Sequence, residues 1–271
     1  MKIDKAVMLE LARSRPASVL LFDIETTPIV GYVWQTYDTN VGANQVQRYS
    51  RILCFAAKWL GEPTIYWEAA DQAGKGPESI DDRGLCRNLS QLLGAADVVV
   101  AHNGKAFDLK RVNARLACHN LPPPVPHKFV DTYLLAKHEF GFAHRSLDGI
   151  ARELGVGGKL AHEGFSLWLR CMDGDKDAWK AMERYNIRDV ELLEQIYLRM
   201  RPFDRKHPNV GLLHADGVPR CVCCGSAELR PVLKTARTDV SRFPMFQCRV
   251  CRKFMRSGTK LQSARSMRNI V

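Results

Sequence analysis

Apolar residues fall along the chain in two alternating rhythms. Residues 18–24 form an apolar run without the gaps of a helix face and read as a buried strand. Residues 52–59 and 64–67 are further β-rich runs, joined through Gly61, Glu62 and Pro63 as a hairpin. Leu85, Leu89, Leu92 and Leu93 then take helical spacing, and residues 97–101 return to a buried strand. A helix is expected over 105–118, ended by Asn120 and the breaker run LPPPVP, with another strand over 129–135. Leu147, Ile150, Ala151 and Leu154 make a helical stripe closed by Gly155. Ala178, Met182, Tyr185, Val190, Leu193, Ile196 and Tyr197 support one long helix over 177–201, stopped at Pro202. With an amphipathic stretch at 6–11 in front, the pattern is a β-rich start followed by alternating α and β.

At 271 residues the chain has room for one sizeable core and a small appended module. Its apolar runs fall well short of the roughly 20 residues that a membrane span needs, so a soluble protein without a secretory signal is expected. The net charge is +11, but it is unevenly placed. Residues 206–271 hold 13 Lys+Arg against 3 Asp+Glu, which leaves the rest of the chain close to neutral. That basic final quarter points to a polyanionic partner. Four of the nine cysteines are scattered in apolar segments and five are clustered after residue 220, a usage that fits a reducing, cytoplasmic compartment.

Within the first apolar run, Asp23 and Glu25 are two apart, so on a strand their carboxylates share one face, about 7 Å apart at the backbone. Two anions that close need a cation between them or open solvent, and a solvent-facing strand end would explain this pair taken alone. In VVVAHNGKAFDLKRV, Asp108 follows a buried strand where open α/β sheets collect ligands; a first-turn helix acid favoured by the helix dipole is the plainer alternative. In ERYNIRDVELL, Tyr185 and Asp189 are four apart and share a helix face.

Together these segments resemble the three motifs of the DEDD superfamily of 3′-to-5′ exonucleases. D-x-E stands in FDIET, N-x-x-x-F-D in NGKAFD and Y-x-x-x-D in YNIRD, in that order, within residues 18–200. Position 184 is Arg and position 185 is Tyr, which matches the tyrosine subclass rather than the histidine one. The wording DIETTP and HNGKAFD is similar to stand-alone phage or bacterial exonucleases related to the proofreading domains of family B DNA polymerases. The resemblance implies a ribonuclease H-like α/β fold, a mixed central sheet flanked by helices, and a two-metal-ion hydrolase. Two Mg²⁺ or Mn²⁺ ions would supply a nucleophilic water, charge neutralisation and help for the departing oxygen. Asp23 would bridge both ions, Glu25 and Asp189 would complete the water-activating site, Asp108 would serve the second ion, and Tyr185 would orient the water.

Other polar residues have two readings each. Asp131 is either a further metal contact or an inward acid bonded to backbone. Asn103 either touches the terminal nucleotide or braces its loop. Lys105, Lys110, Arg111 and Lys159 are phosphate contacts or solvated helix-face residues.

CVCCG at 221–225 and CRVC at 248–251 give two C-x-x-C pairs with β-prone segments between them. Cys221, Cys224, Cys248 and Cys251 can close a tetrahedral Zn²⁺ site, and the module resembles a zinc ribbon with one structural zinc. Cys223 is an alternative to Cys224 in the first knuckle. Arg237, Arg242, Arg249, Arg252 and Lys253 lie among the basic residues around it and would contact nucleic acid. The expected organisation is an N-terminal segment (1–17), a ribonuclease H-like exonuclease domain (18–203), a linker (204–219), a zinc ribbon (220–258) and a basic tail (259–271). The expected partner is single-stranded nucleic acid with a free 3′ end, DNA before RNA, with no membrane and a bacterial or phage-infected cytoplasm as the setting. An RNA-trimming or structure-selective nuclease and a non-catalytic nucleic-acid adaptor are the alternatives.

Overall fold

The apolar run at the start of the chain becomes β1 (Val19–Thr26), the middle strand of a five-stranded sheet. The computed structural model describes residues 17–37, 39–214 and 216–263, and the chain divides into two compact units after Ile196. The stretch at 6–11 and the end of the basic tail lie outside the described residues.

In the first unit, β1 is followed by a short hairpin of β2 (Val30–Gly31) and β3 (Val46–Arg48), then by β4 (Ile52–Trp59) and β5 (Ile65–Ala69). A second short pair, β6 (Asp71–Gln72) and β7 (Ile80–Asp81), leads into helix α1 (Arg83–Gly94). Next come β8 (Val98–Ala101), α2 (Asp108–Cys118), β9 (Lys128–Asp131), α3 (Thr132–Glu139), α4 (Leu147–Glu153), α5 (Phe165–Met172) and α6 (Lys176–Met200). The sheet order is β5-β4-β1-β8-β9, antiparallel on the β4 side of β1 and parallel on the β8 side.

Strand alternation gives β1 two different faces. Leu20, Phe22 and Ile24 join Leu85, Leu89 and Leu92 of α1 and Val112 and Leu116 of α2 in one buried cluster. Asp23 and Glu25 point to the opposite face, beside Ala56 and Cys54 of β4 in register. There α6 lies across the sheet: Asn186 donates to Asp23, and Lys58 pairs with Glu194.

A buried ion pair fixes the helix layer. Asp82, fully buried before α1, accepts from Arg115 through both oxygens at 2.8 Å, from His119 at 2.7 Å and from the Ile52 amide at 2.8 Å. Burial raises its affinity for a proton, but the Arg115 and His119 bonds outweigh that and hold the carboxyl below its ordinary value. One side chain thus ties the start of α1 to the end of α2 and the start of β4.

Two differences from the pattern expected in the sequence bear on the site. The strand expected over 129–135 ends at Asp131, because the Asp131 carboxylate accepts from the Tyr133 and Leu134 amides at 3.0 and 3.3 Å and starts α3 there. Helix α5 was not read from the sequence; only Leu167, Cys171 and Met172 of its eight residues are buried, too short a stripe for a periodic signal.

The second unit holds the antiparallel strands β10 (Leu229–Arg237), β11 (Ser241–Cys248) and β12 (Phe254–Arg256), with β13 (Gln262–Ser263) on the far end of β11. Its core is small: Cys221, Cys223 and Cys248 are buried, with Leu229 and Met255 against them. The described residues of the expected linker, 204–214 and 216–219, belong to this unit. The Val210 amide bonds Val222, Asn209 caps a short 3₁₀ turn, and the Tyr197 hydroxyl meets His207 at 2.8 Å.

Candidate active site and cysteine cluster

The end of β8 creates the first half of the acidic site. Pairing of β1 with β8 stops at Leu21–Val100, so the amide of Ile24 has no strand partner on that side. Asp108, the first residue of α2 and nearly buried, takes that amide at 3.3 Å. The turn between β8 and α2 requires Gly104, because a Cβ there would lie 2.6 Å from the Ala101 Cβ. Asp131 holds the same turn from below, accepting from the Asn103 and Lys105 amides at 2.9 and 3.1 Å. Asp131 therefore acts through backbone amides, and Asn103 takes a left-handed φ of 62° in this turn. The Lys105 ammonium lies 6.0 Å over the Phe129 ring.

Helix α6 supplies the other half. Oxygens of Asp23, Glu25 and Asp189 all lie within 4.8 Å of one another. At that spacing each pair of anions repels by roughly 3 kcal/mol at an effective dielectric near 20. Asp108 is outside this tight group but close enough to add to the repulsion on Asp23 and Glu25. Burial is the largest cause of the resulting shifts, and the neighbouring carboxylates add to it. Asp23 is pushed well above its ordinary value, Asp189 is also raised, Glu25 goes from 4.5 to about 8, and burial takes Asp108 to about 7.

One positive group sits inside this cluster. Lys159 donates to Asp189 Oδ2 at 2.5 Å and to the Tyr185 hydroxyl at 3.1 Å. Asp189 Oδ1 is buried and has no hydrogen-bond partner, and one ammonium does not balance the three carboxylates around it. An unpartnered buried carboxylate oxygen among anions fits a divalent cation, whose usual ligands are oxygens of this kind.

Tyr185 is nearly buried, with its ring edge-on to His162 at 4.7 Å and to Trp168 at 6.1 Å. Burial, reinforced by Asp189, pushes its hydroxyl up to about 12, so the phenol stays neutral near pH 7. It borders a recess of about 400 Å³ also lined by Leu160, His162 and Arg184.

Asn186 was not singled out in the sequence. It is fully buried and donates to Asp23 Oδ2 at 2.8 Å, which fixes the carboxylate's rotation. Its signal was its place three residues before Asp189, on the same helix face. Trp168, whose ring stands edge-on to Tyr185, had no comparable signal because it lies on helix α5.

A second acidic grouping, Asp82, Cys86 and His119, also has ligand-like spacing, but Arg115 already neutralises its carboxylate.

In the second unit, Sγ atoms of Cys221, Cys224, Cys248 and Cys251 lie within 4.8 Å of one another, and Cys221–Cys251 and Cys224–Cys248 are 3.5 and 3.6 Å apart. Two matching backbone turns present them. The Gly225 amide bonds Cys221 O at 2.9 Å with φ of 73°, and the Arg252 amide bonds Cys248 O at 3.0 Å with φ of 66°. The Cys223 thiol lies 3.6 Å from the Arg201 carbonyl and outside the four-sulfur group. Such a group is compatible with a zinc ribbon. Of the basic residues, Arg237 and Arg242 face each other across the β10–β11 pair, and both are exposed, as are Arg249 and Arg252. Lys253 is half-buried and donates to the Asp204 carbonyl at 2.6 Å, so its ammonium is engaged within the unit.

The RNase H superfamily model matches residues 20–201, most of the chain and all of the acidic site. The chain belongs to the RNase H superfamily. Membership supports a nuclease that acts on nucleic acid with divalent metal ions. Among solved structures, this RNase H fold is similar to the family B DNA polymerase of the hyperthermophilic archaeon Pyrobaculum calidifontis, with a TM-score of 0.53 and 20% identity. The match covers 76% of this chain and 26% of the polymerase, so the chain spans about a quarter of that protein's length. No curated protein matches the sequence. Among the described residues no helix is long and apolar enough to cross a membrane.

The raised carboxylates make stability depend on pH. Glu25 holds a proton in the folded state that the unfolded chain releases, so stability falls as pH rises from about 4.5 to about 8. In buffer free of Mg²⁺ and Mn²⁺, Glu25→Gln is expected to stabilise the protein by on the order of 1–3 kcal/mol at pH 7.5 and not measurably at pH 4. Urea unfolding at the two pH values checks this, and a variant less stable than wild type at pH 7.5 contradicts it.

Proposed function

We propose that the protein is a 3′-to-5′ exonuclease that removes nucleoside 5′-monophosphates from the 3′ end of single-stranded DNA. The observation that carries this reading is the convergence of Asp23, Glu25 and Asp189 around an unpartnered Asp189 oxygen, beside a buried tyrosine. The resemblance to the tyrosine subclass of DEDD exonucleases, on Asp23, Glu25, Asp108, Tyr185 and Asp189, supports the direction of attack. The four acids would hold two Mg²⁺ or Mn²⁺ ions, with Asp108 on the α2 side and Asp189 on the α6 side. When bound, such ions supply an activated water and neutralise charge on the transferring phosphorus centre.

The remaining steps belong to the chain's own groups. Asn186 fixes the rotation of Asp23, so the carboxylate need not reorganise when it is loaded. Tyr185, held neutral, positions a water or phosphate oxygen by hydrogen bonding and does not remove its proton at pH 7. Lys159 keeps its proton, since its bonds to Asp189 and Tyr185 outweigh the cost of burial, and it offers a positive charge to a phosphate entering beside Tyr185.

The cysteine module is read as a zinc ribbon in which Cys221, Cys224, Cys248 and Cys251 hold one structural zinc. The buried cluster around these cysteines holds three thiols and few large apolar side chains, so the metal would supply stability that a hydrophobic core does not. Arg237, Arg242, Arg249 and Arg252 give it an exposed basic surface for a polyanionic strand. Nine free cysteines suit a reducing cytoplasm.

On labelled single-stranded DNA with Mg²⁺, Asp23→Ala and Asp189→Ala are each expected to lower digestion by about 10³-fold or more while DNA binding persists. The wild type is expected to stall on a strand whose 3′ end is blocked. Equal cutting of blocked and free strands would make the activity endonucleolytic, and faster loss of an RNA strand would make it an RNA-trimming enzyme. For the ribbon, elemental analysis of the purified chain is expected to find one zinc, retained in Cys223→Ala and lost in Cys224→Ala. Loss in both variants would refute the ligand set.

A further inference from the structure

The hairpin β2–β3 carries a loop that the acidic site does not use. Its base is closed at both ends: the Tyr32 amide bonds Gln45 O at 3.0 Å, Gln45 Nε2 returns to Tyr32 O at 2.9 Å, and the Gly42 amide bonds Gln45 Oε1 at 2.8 Å. Further out, the Thr39 hydroxyl bonds Gln35 O at 2.7 Å. On this frame the large side chains point outward. Trp34 is 98% exposed, Tyr37 84% and Tyr32 71%, with Tyr49 at the foot of the hairpin 68% exposed. Isolated exposed apolar residues are ordinary, but a group of nearly bare aromatics on one loop marks a contact surface.

The composition of the loop selects its partner. Between residues 28 and 47 the only charged residue is Asp38, and the remaining polar positions are largely amides, including Gln35, Asn40, Asn44 and Gln45. The loop itself holds no cation, and Arg48 at its foot is paired with Glu78 at 3.1 Å, which makes it a poor receptor for phosphate or for an anionic membrane, both of which draw on Lys and Arg. Neutral planar rings flanked by amides suit a neutral planar ligand with hydrogen-bonding edges. The loop also grows from the carboxyl end of β1, at the acidic site. Tyr32 is seven positions after Glu25, a span of at most about 25 Å of extended chain.

We propose that Trp34 and Tyr37, with Tyr32, form a stacking platform for unpaired nucleobases of the strand whose end lies in the acidic site. This rests on the reading of the substrate as single-stranded nucleic acid. The platform would grip bases irrespective of sequence, since every base has a π-face, and would leave phosphate charge to other parts of the chain. A paired duplex would present no free faces to it, so the loop gives the enzyme a preference for unpaired strands.

The test measures binding of the full-length protein, without Mg²⁺ or Mn²⁺, to an oligothymidylate and to an abasic strand of equal length. Wild type is expected to bind the oligothymidylate tighter, by about 10- to 100-fold for one or two stacked bases. The double variant Trp34→Ala/Tyr37→Ala is expected to lose that advantage and bind both strands alike. Because both side chains stand in solvent, the variant should keep the wild-type melting temperature. Wild-type tryptophan fluorescence should be quenched by the oligothymidylate, and Trp34→Phe should remove that change. Equal loss on both strands would mean that the loop contacts the backbone, and no loss on either would assign the surface to a protein partner; each result overturns the proposal. Digestion of the same oligothymidylate with Mg²⁺ reads the exonuclease activity separately. A chain that discriminates through Trp34 and Tyr37 but cuts nothing keeps this inference and loses the exonuclease reading.

Discussion

Mutual repulsion among clustered carboxylates, Asp108 and Asp189 buried and Asp23 and Glu25 half-buried, is the constraint around which the first unit is organised. Asp23 and Glu25 share a strand face because strand side chains alternate, and α6 brings Asp189 to the same point. Asp108 enters from the opposite side of the β1 edge, where the end of β8 leaves the Ile24 amide free. No single one of these placements is unusual, but together they concentrate negative charge that burial cannot tolerate. The chain answers with one ammonium, Lys159, one orienting amide, Asn186, and raised proton affinities. The Asp189 oxygen that neither group satisfies is the strongest sign that a divalent cation completes the arrangement.

The rest of the unit keeps that charge in place. Asp131 uses its carboxylate to hold the turn before α2 and to start α3, which positions Asp108 without competing for a cation. The Asp82–Arg115–His119 group performs the same service for the helix layer, and its charges cancel internally. Two acids so near in kind, one paired with arginine and one left among other acids, show how partner choice separates a structural carboxylate from a reactive one. In the second unit four thiols converge on one point, and the fifth, Cys223, lies 3.6 Å from the Arg201 carbonyl.

Much of this was legible in the residues. The alternation of Asp23 and Glu25 and the four-residue spacing of Tyr185 and Asp189 are consequences of strand and helix geometry, so their placement follows once the elements are recognised. Asp131 shows where pattern fails: its apolar neighbours read as a continuing strand, while its carboxylate starts a helix by bonding two amides. Helix α5 buries too few residues to show a period, and Trp168 was hidden with it. The contact of the Cys223 thiol with the Arg201 carbonyl depends on a turn that spacing does not encode, and the capture of Lys253 by the Asp204 carbonyl depends on chain folded back from 49 residues earlier.

In the proposed function, a nearly neutral unit with the acidic site, a basic unit with the cysteine cluster and an aromatic loop without cations would divide the work of holding a strand among scissile bond, phosphate and base. All of it depends on the carboxylates acting as a cation trap. The most direct measurement is a Mn²⁺ titration followed by electron paramagnetic resonance, comparing wild type with Asp23→Asn/Asp189→Asn. Uptake of two Mn²⁺ ions per chain with the coupling of neighbours about 4 Å apart, lost in the double variant, is the expected result. Uptake that is absent in the wild type, or unchanged by the double substitution, would contradict it.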